Sequence, residues 1–131
     1  MTAARYDITI DQGSDFSLEL TVKESGNEKD FSNDTSVSGS EKGWDARARF
    51  RKSLEDTTSH ELTCTVTPSN AGKLTVTLGR AVSAAITAGT YYYDLEIFQK
   101  DISENAANPP AEFSVTRLLG GTLTLRREVT R

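Results

Sequence analysis

Strict alternation of apolar and polar residues is the feature that most restricts this chain. From residue 16 to 23, Phe16, Leu18, Leu20 and Val22 alternate with Ser17, Glu19, Thr21 and Lys23. A strand turns successive side chains to opposite faces and gathers the four apolar residues on one of them, whereas a helix scatters them around its surface. The same period recurs in Tyr6, Ile8 and Ile10, in Trp44, Ala46, Ala48 and Phe50, in Leu62, Cys64 and Val66, and in Leu74, Val76 and Leu78. The last two runs flank Pro68-Ser69-Asn70-Ala71-Gly72 and predict a β-hairpin. Thr90 to Gln99 predicts a long aromatic strand, with Tyr91, Tyr93, Leu95 and Ile97 on one face and Tyr92, Asp94, Glu96 and Phe98 on the other. Strand character returns from Phe113 to Leu119 and from Thr122 to Val129. Between them Gly120-Gly121 is either a hairpin turn or a bend in one long strand, and the bend is the favoured reading.

Residues 80–87 are the one helical candidate, with Ala81, Val82, Ala85 and Ile86 at helical spacing and Gly89 as a stop. Two segments lack periodicity. Residues 24–43 hold only Phe31 and Val37 as sizeable apolar groups, and Phe31 is expected to pin the segment to the core. Residues 100–112 contain Asn108-Pro109-Pro110, which argues against a regular element. The expected fold is all-β: an antiparallel immunoglobulin-like β-sandwich of seven or eight strands with one short connecting helix, forming a single domain over residues 1–131 with long loops at 24–43 and 100–112.

Composition removes several functions. One His and one Cys cannot supply the three or four N/S ligands of a zinc site, nor a disulfide within one chain. No run approaches the ~18 apolar residues of a membrane span, and Met1 to Asp7 lacks the apolar core of a secretory signal. Asn33-Asp34-Thr35 fits a glycosylation acceptor but is discounted without a signal. Asp7, Asp11 and Asp15 do not match a calcium loop, and Gly120-Gly121 lacks a phosphate-loop or dinucleotide fingerprint. No catalytic residue, metal ligand or cofactor site is assigned. Cys64, between Leu62 and Val66, reads as a buried inert thiol, and His60 as a solvated residue at a strand entry. Asp94 and Glu96 share a strand face, the arrangement of a carboxylate pair, but any strand with a solvated face produces such pairs.

The net charge is −4 and unevenly spread. Residues 1–43 carry −5, residues 44–52 carry +3, residues 53–112 carry −5 and residues 113–131 carry +3. Overall acidity argues against nucleic-acid and anionic-membrane partners. Opposed charge blocks suit association between subunits, though basic residues also decorate the solvent faces of strands. The candidate interface residues are therefore Tyr92, Arg47, Arg49, Arg51, Arg126, Arg127 and Arg131. Tyr91 and Tyr93 are expected in the core, leaving Tyr92 outside as an aromatic contact.

Several segments resemble a family of small tailed-phage virion proteins: Gly89-Thr-Tyr-Tyr-Tyr-Asp-Leu-Glu-Ile97 after the helical segment, Val115-Thr-Arg-Leu-Leu-Gly-Gly-Thr-Leu-Thr-Leu125, the terminal Glu128-Val-Thr-Arg131, the opening Ile10-Asp-Gln-Gly-Ser-Asp-Phe16, and Ala46-Arg-Ala-Arg-Phe50. The similarity is to the β-sandwich domain at the N-terminus of phage baseplate upper proteins and related tail-fibre attachment domains. Residues 24–43 depart from that pattern, in which a shorter Asp-Leu-containing connection is usual. The resemblance implies a non-enzymatic virion structural protein without cofactors. It would be a tail, baseplate or tail-fibre adaptor that is assembled in the host cytoplasm, is present in multiple symmetric copies and contacts other virion proteins. A capsid decoration protein is the alternative within that class, and a carbohydrate-binding module for host-surface glycans is the alternative outside it.

Overall fold

A computed structural model describes residues 4–35, 41–103 and 106–127. The periodic segments all form strands, and the described residues add three short ones without apolar alternation; in chain order they are β1 (Ala4–Arg5), β2 (Ile8–Asp11), β3 (Phe16–Thr21), β4 (Lys23–Glu24), β5 (Asn27–Glu28), β6 (Lys42–Arg51), β7 (His60–Val66), β8 (Lys73–Leu78), β9 (Gly89–Asp101) and β10 (Glu112–Arg126), with one helix among the described residues, α1 (Arg80–Ala84). Apart from β4 and β5, which pair with each other, they make one curled eight-stranded sheet in the order β1-β10-β9-β6-β7-β8-β3, with β2 also on β10. β7 carries the curl. Its first residues pair with β6 (Phe50 with His60, Ala48 with Leu62) and its last pair with β8 (Cys64 with Val76, Val66 with Leu74).

The sheet is mixed, which corrects the expectation of a wholly antiparallel one. β1 and β2 run parallel to β10, setting Arg5 beside Gly120 and Ile8 beside Leu123. Alternation reports which face a residue takes and carries no information on the direction of the neighbouring strand. The inner face of the curl is the core: Ile8, Ile10, Ala46, Ala48, Phe50, Leu62, Leu74, Val76, Leu78, Tyr91, Tyr93, Leu95, Ile97, Leu123 and Leu125 are all buried. These are the apolar members of the alternating runs. At roughly 1.5–3 kcal/mol per fully buried large side chain, they supply most of the force that closes the sheet.

Two local expectations change. The 24–43 segment is not one open loop: Lys23–Glu24 and Asn27–Glu28 form a hairpin across Ser25-Gly26, both at positive φ. Phe31 is fully buried edge-on to Trp44, and Asp34 bridges Lys42. The hairpin strands are wholly polar, so no alternation marked them. Val37 lies outside the described residues. Gly72 shows why the chain turns there: its carbonyl accepts the Val22 N–H at 2.7 Å, and a Cβ on it would stand 2.4 Å from the Val22 oxygen.

The helix is shorter than expected and presents a different face. Val82 is half exposed, while Ser83 and Ile86 are buried. The Ser83 hydroxyl accepts the Gly13 N–H at 3.0 Å, and Asp15 accepts the Arg80 N–H at 2.9 Å. A five-residue helix has little stability of its own. Its orientation follows these tertiary hydrogen bonds rather than an apolar stripe.

Of the two readings of the glycine pair, the favoured one, a single long strand, holds. Register runs unbroken through Gly120 (beside Asp94) and Gly121 (beside Tyr93), so β10 is one strand and its irregularities lie earlier, at 113–116 and 117–119.

Candidate functional site

The outer face of β6, β9 and β10 is built from three cross-strand rows. The first row is Arg47, Glu96 and Arg117, the second is Arg49, Asp94 and Gly120, and the third is Arg51, Tyr92 and Thr122. Period-2 alternation on β6 and β9, together with the register shift between Arg117 and Leu119 on β10, places all nine on the side away from the core. In the middle row the third position is glycine. The absence of a side chain there adds room to a hollow of about 790 Å³ in the face, with Ala4, Arg5 and Leu54 also on its wall. Directly beside it, Gly121 faces inward. A Cβ there would stand 2.6 Å from the Tyr6 oxygen and 2.8 Å from Asp7 Oδ1. Adjacent glycines thus serve opposite faces: Gly120 adds room to the hollow, and Gly121 admits the break between β1 and β2.

That break is tied down by two polar contacts. The Tyr93 hydroxyl donates to the Tyr6 carbonyl, and Asp7 Oδ1 accepts the Thr122 N–H at 3.1 Å. Burial, with the negative charge of Asp7 nearby, pushes the Tyr93 hydroxyl up to about 12, so it remains a donor at physiological pH. The Thr122 hydrogen bond holds the Asp7 carboxyl below its ordinary range, with Arg5 adding a smaller pull.

Five arginines and two carboxylates line the hollow. Arg47 is the most engaged. One of its guanidinium nitrogens reaches both Glu112 oxygens at 3.0 and 2.9 Å, its Nε lies 3.6 Å from Glu96, and the group sits 4.6 Å above the Phe98 ring. The Glu112 hydrogen bond is the main reason its pKa is raised. Phe98 is buried although it lies on the outer side of the sheet, because this guanidinium covers it. Arg49 pairs with Glu61 at 3.1 Å, and Arg117 with Asp94 at 3.9 Å, the two cations being half or more exposed. Arg51 donates to the Asp56 carbonyl at 3.2 Å. Exposed ion pairs of this type contribute roughly 0–1 kcal/mol each, so the cations can exchange partners at little cost. Tyr92 and Leu54 stand exposed at the same end of the hollow, at 48% and 80%.

The structure therefore brings Arg47, Arg49, Arg51 and Tyr92 together. Arg126 lies elsewhere, at the end of β10, paired with Asp11 at 2.7 Å, and the exposed Arg127 follows it. Arg131 lies outside the described residues. Sequence reading missed Arg5, Arg117, Leu54 and Gly120. Arg5 and Arg117 enter only through the strand pairings, and Leu54 comes from a polar turn; the lone signal was the unexplained glycine pair.

The other candidate groups are accounted for. His60 stands at a strand entry as expected, but it is half-buried rather than solvated. It begins β7, and its ring packs 5.2 Å from Phe50 and 5.9 Å from Tyr91. The Cys64 thiol, pushed up to about 12 chiefly by burial, stays protonated near neutrality and donates weakly to the Leu62 carbonyl. Asp94 and Glu96 are each paired with an arginine, Asp94 with Arg117 at 3.9 Å and Glu96 with Arg47 at 3.6 Å. Among the described residues no group of three or more His, Cys, Asp or Glu is placed to hold a metal ion.

No family model and no curated protein matches the chain. Among solved structures, it is similar to the extracellular domain of the voltage-gated sodium channel beta4 subunit, described as a parallel homodimer with a role in cell–cell adhesion. The identity is 10% over 98% of this chain and 97% of that one, with a TM-score of 0.39.

Proposed function

We propose that this chain is a non-enzymatic docking domain of a tailed-phage virion: a tail, baseplate or tail-fibre adaptor that receives an acidic segment of a neighbouring virion protein in the hollow of β6, β9 and β10. One observation carries the docking role. A chain of net charge −4 gathers five arginines, two carboxylates and the exposed Tyr92 and Leu54 around one depression. Complementary charge steers the encounter, and an aromatic with an apolar neighbour provides the desolvated anchor. The phage assignment rests on the resemblance of the segments that become β9 and β10, together with residues 10–16 and the Ala46–Phe50 stretch of β6.

The finer fold reading belongs to the same proposal. An immunoglobulin-like sandwich is supported by β7 dividing its pairing between β6 and β8, by the helical turn between β8 and β9, and by Tyr91. The buried Tyr91 opens the core run of β9, and its hydroxyl donates to the Thr87 carbonyl four residues upstream, as a tyrosine corner does.

The test is reconstitution into particles. Charge reversal at Arg49 and Arg117, both exposed, is expected to abolish co-purification with virions while the circular dichroism spectrum stays that of the parent. Immunogold labelling of the parent separates tail from head, where the capsid-decoration alternative places it. Absence of the parent from purified particles overturns the virion reading. The carbohydrate-binding reading is favoured by Tyr92 standing in the row beside Asp94, an aromatic next to a polar acceptor. Tyr92-dependent signals on a glycan array would replace the docking proposal with that one.

A further inference from the structure

The curled sheet ends in two edges that are built differently. At one, β1 and β2 are short, broken at Tyr6-Asp7, and carry Arg5, Asp7 and Asp11. Breaks and charges of this kind keep an edge from recruiting another strand. At the other edge stands β3. It pairs with β8 in unbroken register from Phe16 beside Leu78 to Thr21 beside Lys73, and among the described residues no strand pairs with its far side. Its six residues contain no proline, lysine or bulge, and a single charge, Glu19.

The apolar residues of β3 register the missing neighbour. Leu74, Val76 and Leu78 on β8 are buried, whereas Phe16, Leu18 and Leu20 on the same face of the adjacent strand are only partly so. From this edge we infer that the chain forms a two-fold dimer in which β3 pairs antiparallel with β3 of a second copy, joining the two sheets edge to edge.

The β3 sequence suits itself as a partner. Antiparallel pairing centred on Leu18 sets Leu18 opposite its own copy, Phe16 opposite Leu20 and Ser17 opposite Glu19. The half-covered apolar residues then meet on the core side, and no like charges face each other on the outer side. A two-fold operator uses the same strand twice, so the contact closes as a dimer and does not propagate into a fibre. The free N–H and C=O groups along this edge gain partners in the same step. This dimer is independent of the hollow, which lies on strands at the other end of the sheet order.

Sedimentation of the full chain over a concentration series tests the pairing. The parent is expected to dimerise. Ser17→Glu puts two like-charged pairs across the interface and should weaken the dimer roughly tenfold, while Ser17→Lys places a cation opposite each Glu19 and should tighten it. Ser17 is exposed, so both variants should keep the parent's melting temperature as monomers. A chain that stays monomeric, or a dimer that treats the two substitutions alike, overturns the pairing. So does a dimer that responds to charge reversal at Arg49 and Arg117 but not at Ser17.

Discussion

The molecule has two outer sheet faces, laid on the same pleated geometry and filled differently. On β3, β8 and β7 the outward rows are Ser17, Thr77 and Thr63, then Glu19, Thr75 and Thr65. On β6, β9 and β10 they are Arg47, Glu96 and Arg117, then Arg49, Asp94 and Gly120. Threonine's branched Cβ fills the pleat with its own atoms, and each residue stabilises the strand where it stands. Arginine and glutamate reach across to other strands, so their contribution is relational. One long side chain roofs a phenylalanine, and one missing side chain deepens a hollow. The first face is a surface finish, and the second has the variation in height and charge that recognition requires.

Substitutions should separate these two kinds of face. Phe98→Ala removes the buried ring beneath Arg47 and is expected to cost about 3 kcal/mol in urea unfolding, a core-sized loss from an outward position. A cost below about 1 kcal/mol would show that the guanidinium roof does not exclude water as a core does. Gly121→Ala forces a Cβ against Tyr6 and should cost about 2 kcal/mol. Gly120→Ala, one residue away, meets only the Tyr93 oxygen at 3.7 Å and should leave stability unchanged while shrinking the hollow. Equal melting temperatures for the two glycine variants would contradict the assignment of the pair to opposite faces.

Acid should act on the β1–β2 edge through Asp7 and Asp11. The folded protein holds both carboxyls below their ordinary value of 3.8, Asp7 through the Thr122 N–H and Asp11 through Arg126. A depressed folded pKa gives stability that is complete above the unfolded value and lost as pH falls through the folded one. Thermal midpoints should therefore drop as pH falls below 3.8, and Asp11→Asn should lower the neutral midpoint while flattening that drop. A similarly small effect is expected on the threonine face, where Thr75→Ala should change stability by no more than about 0.5 kcal/mol. A larger change there would mean that this face also works through cross-strand partnership.

Legibility in the sequence followed the same division. Every strand with apolar alternation was readable, and so was the outward position of Tyr92 between the buried Tyr91 and Tyr93. The arginines on β6 were readable as a cationic stripe. Their carboxylate partners were not, because Glu61, Glu96 and Glu112 come from three other strands. The polar hairpin at 23–28 and the inward turn of Ser83 were invisible for a related reason. Neither depends on apolar periodicity, and both are fixed by hydrogen bonds to distant segments such as Gly13 and Gly72.

By itself, then, the sequence determined a β-rich chain with one core face per strand, because a period of two can be satisfied only by the pleat. The tertiary structure decided which strands became neighbours and in which direction, and every cross-strand relation followed from that choice. The parallel seating of β1 and β2 on β10, the hollow over Gly120, the roofed Phe98 and the open edge of β3 all depend on register between residues far apart in the chain. Within a hairpin such as β7–β8 the turn fixes register locally, but between strands distant in sequence it is set by the packing of the whole sheet.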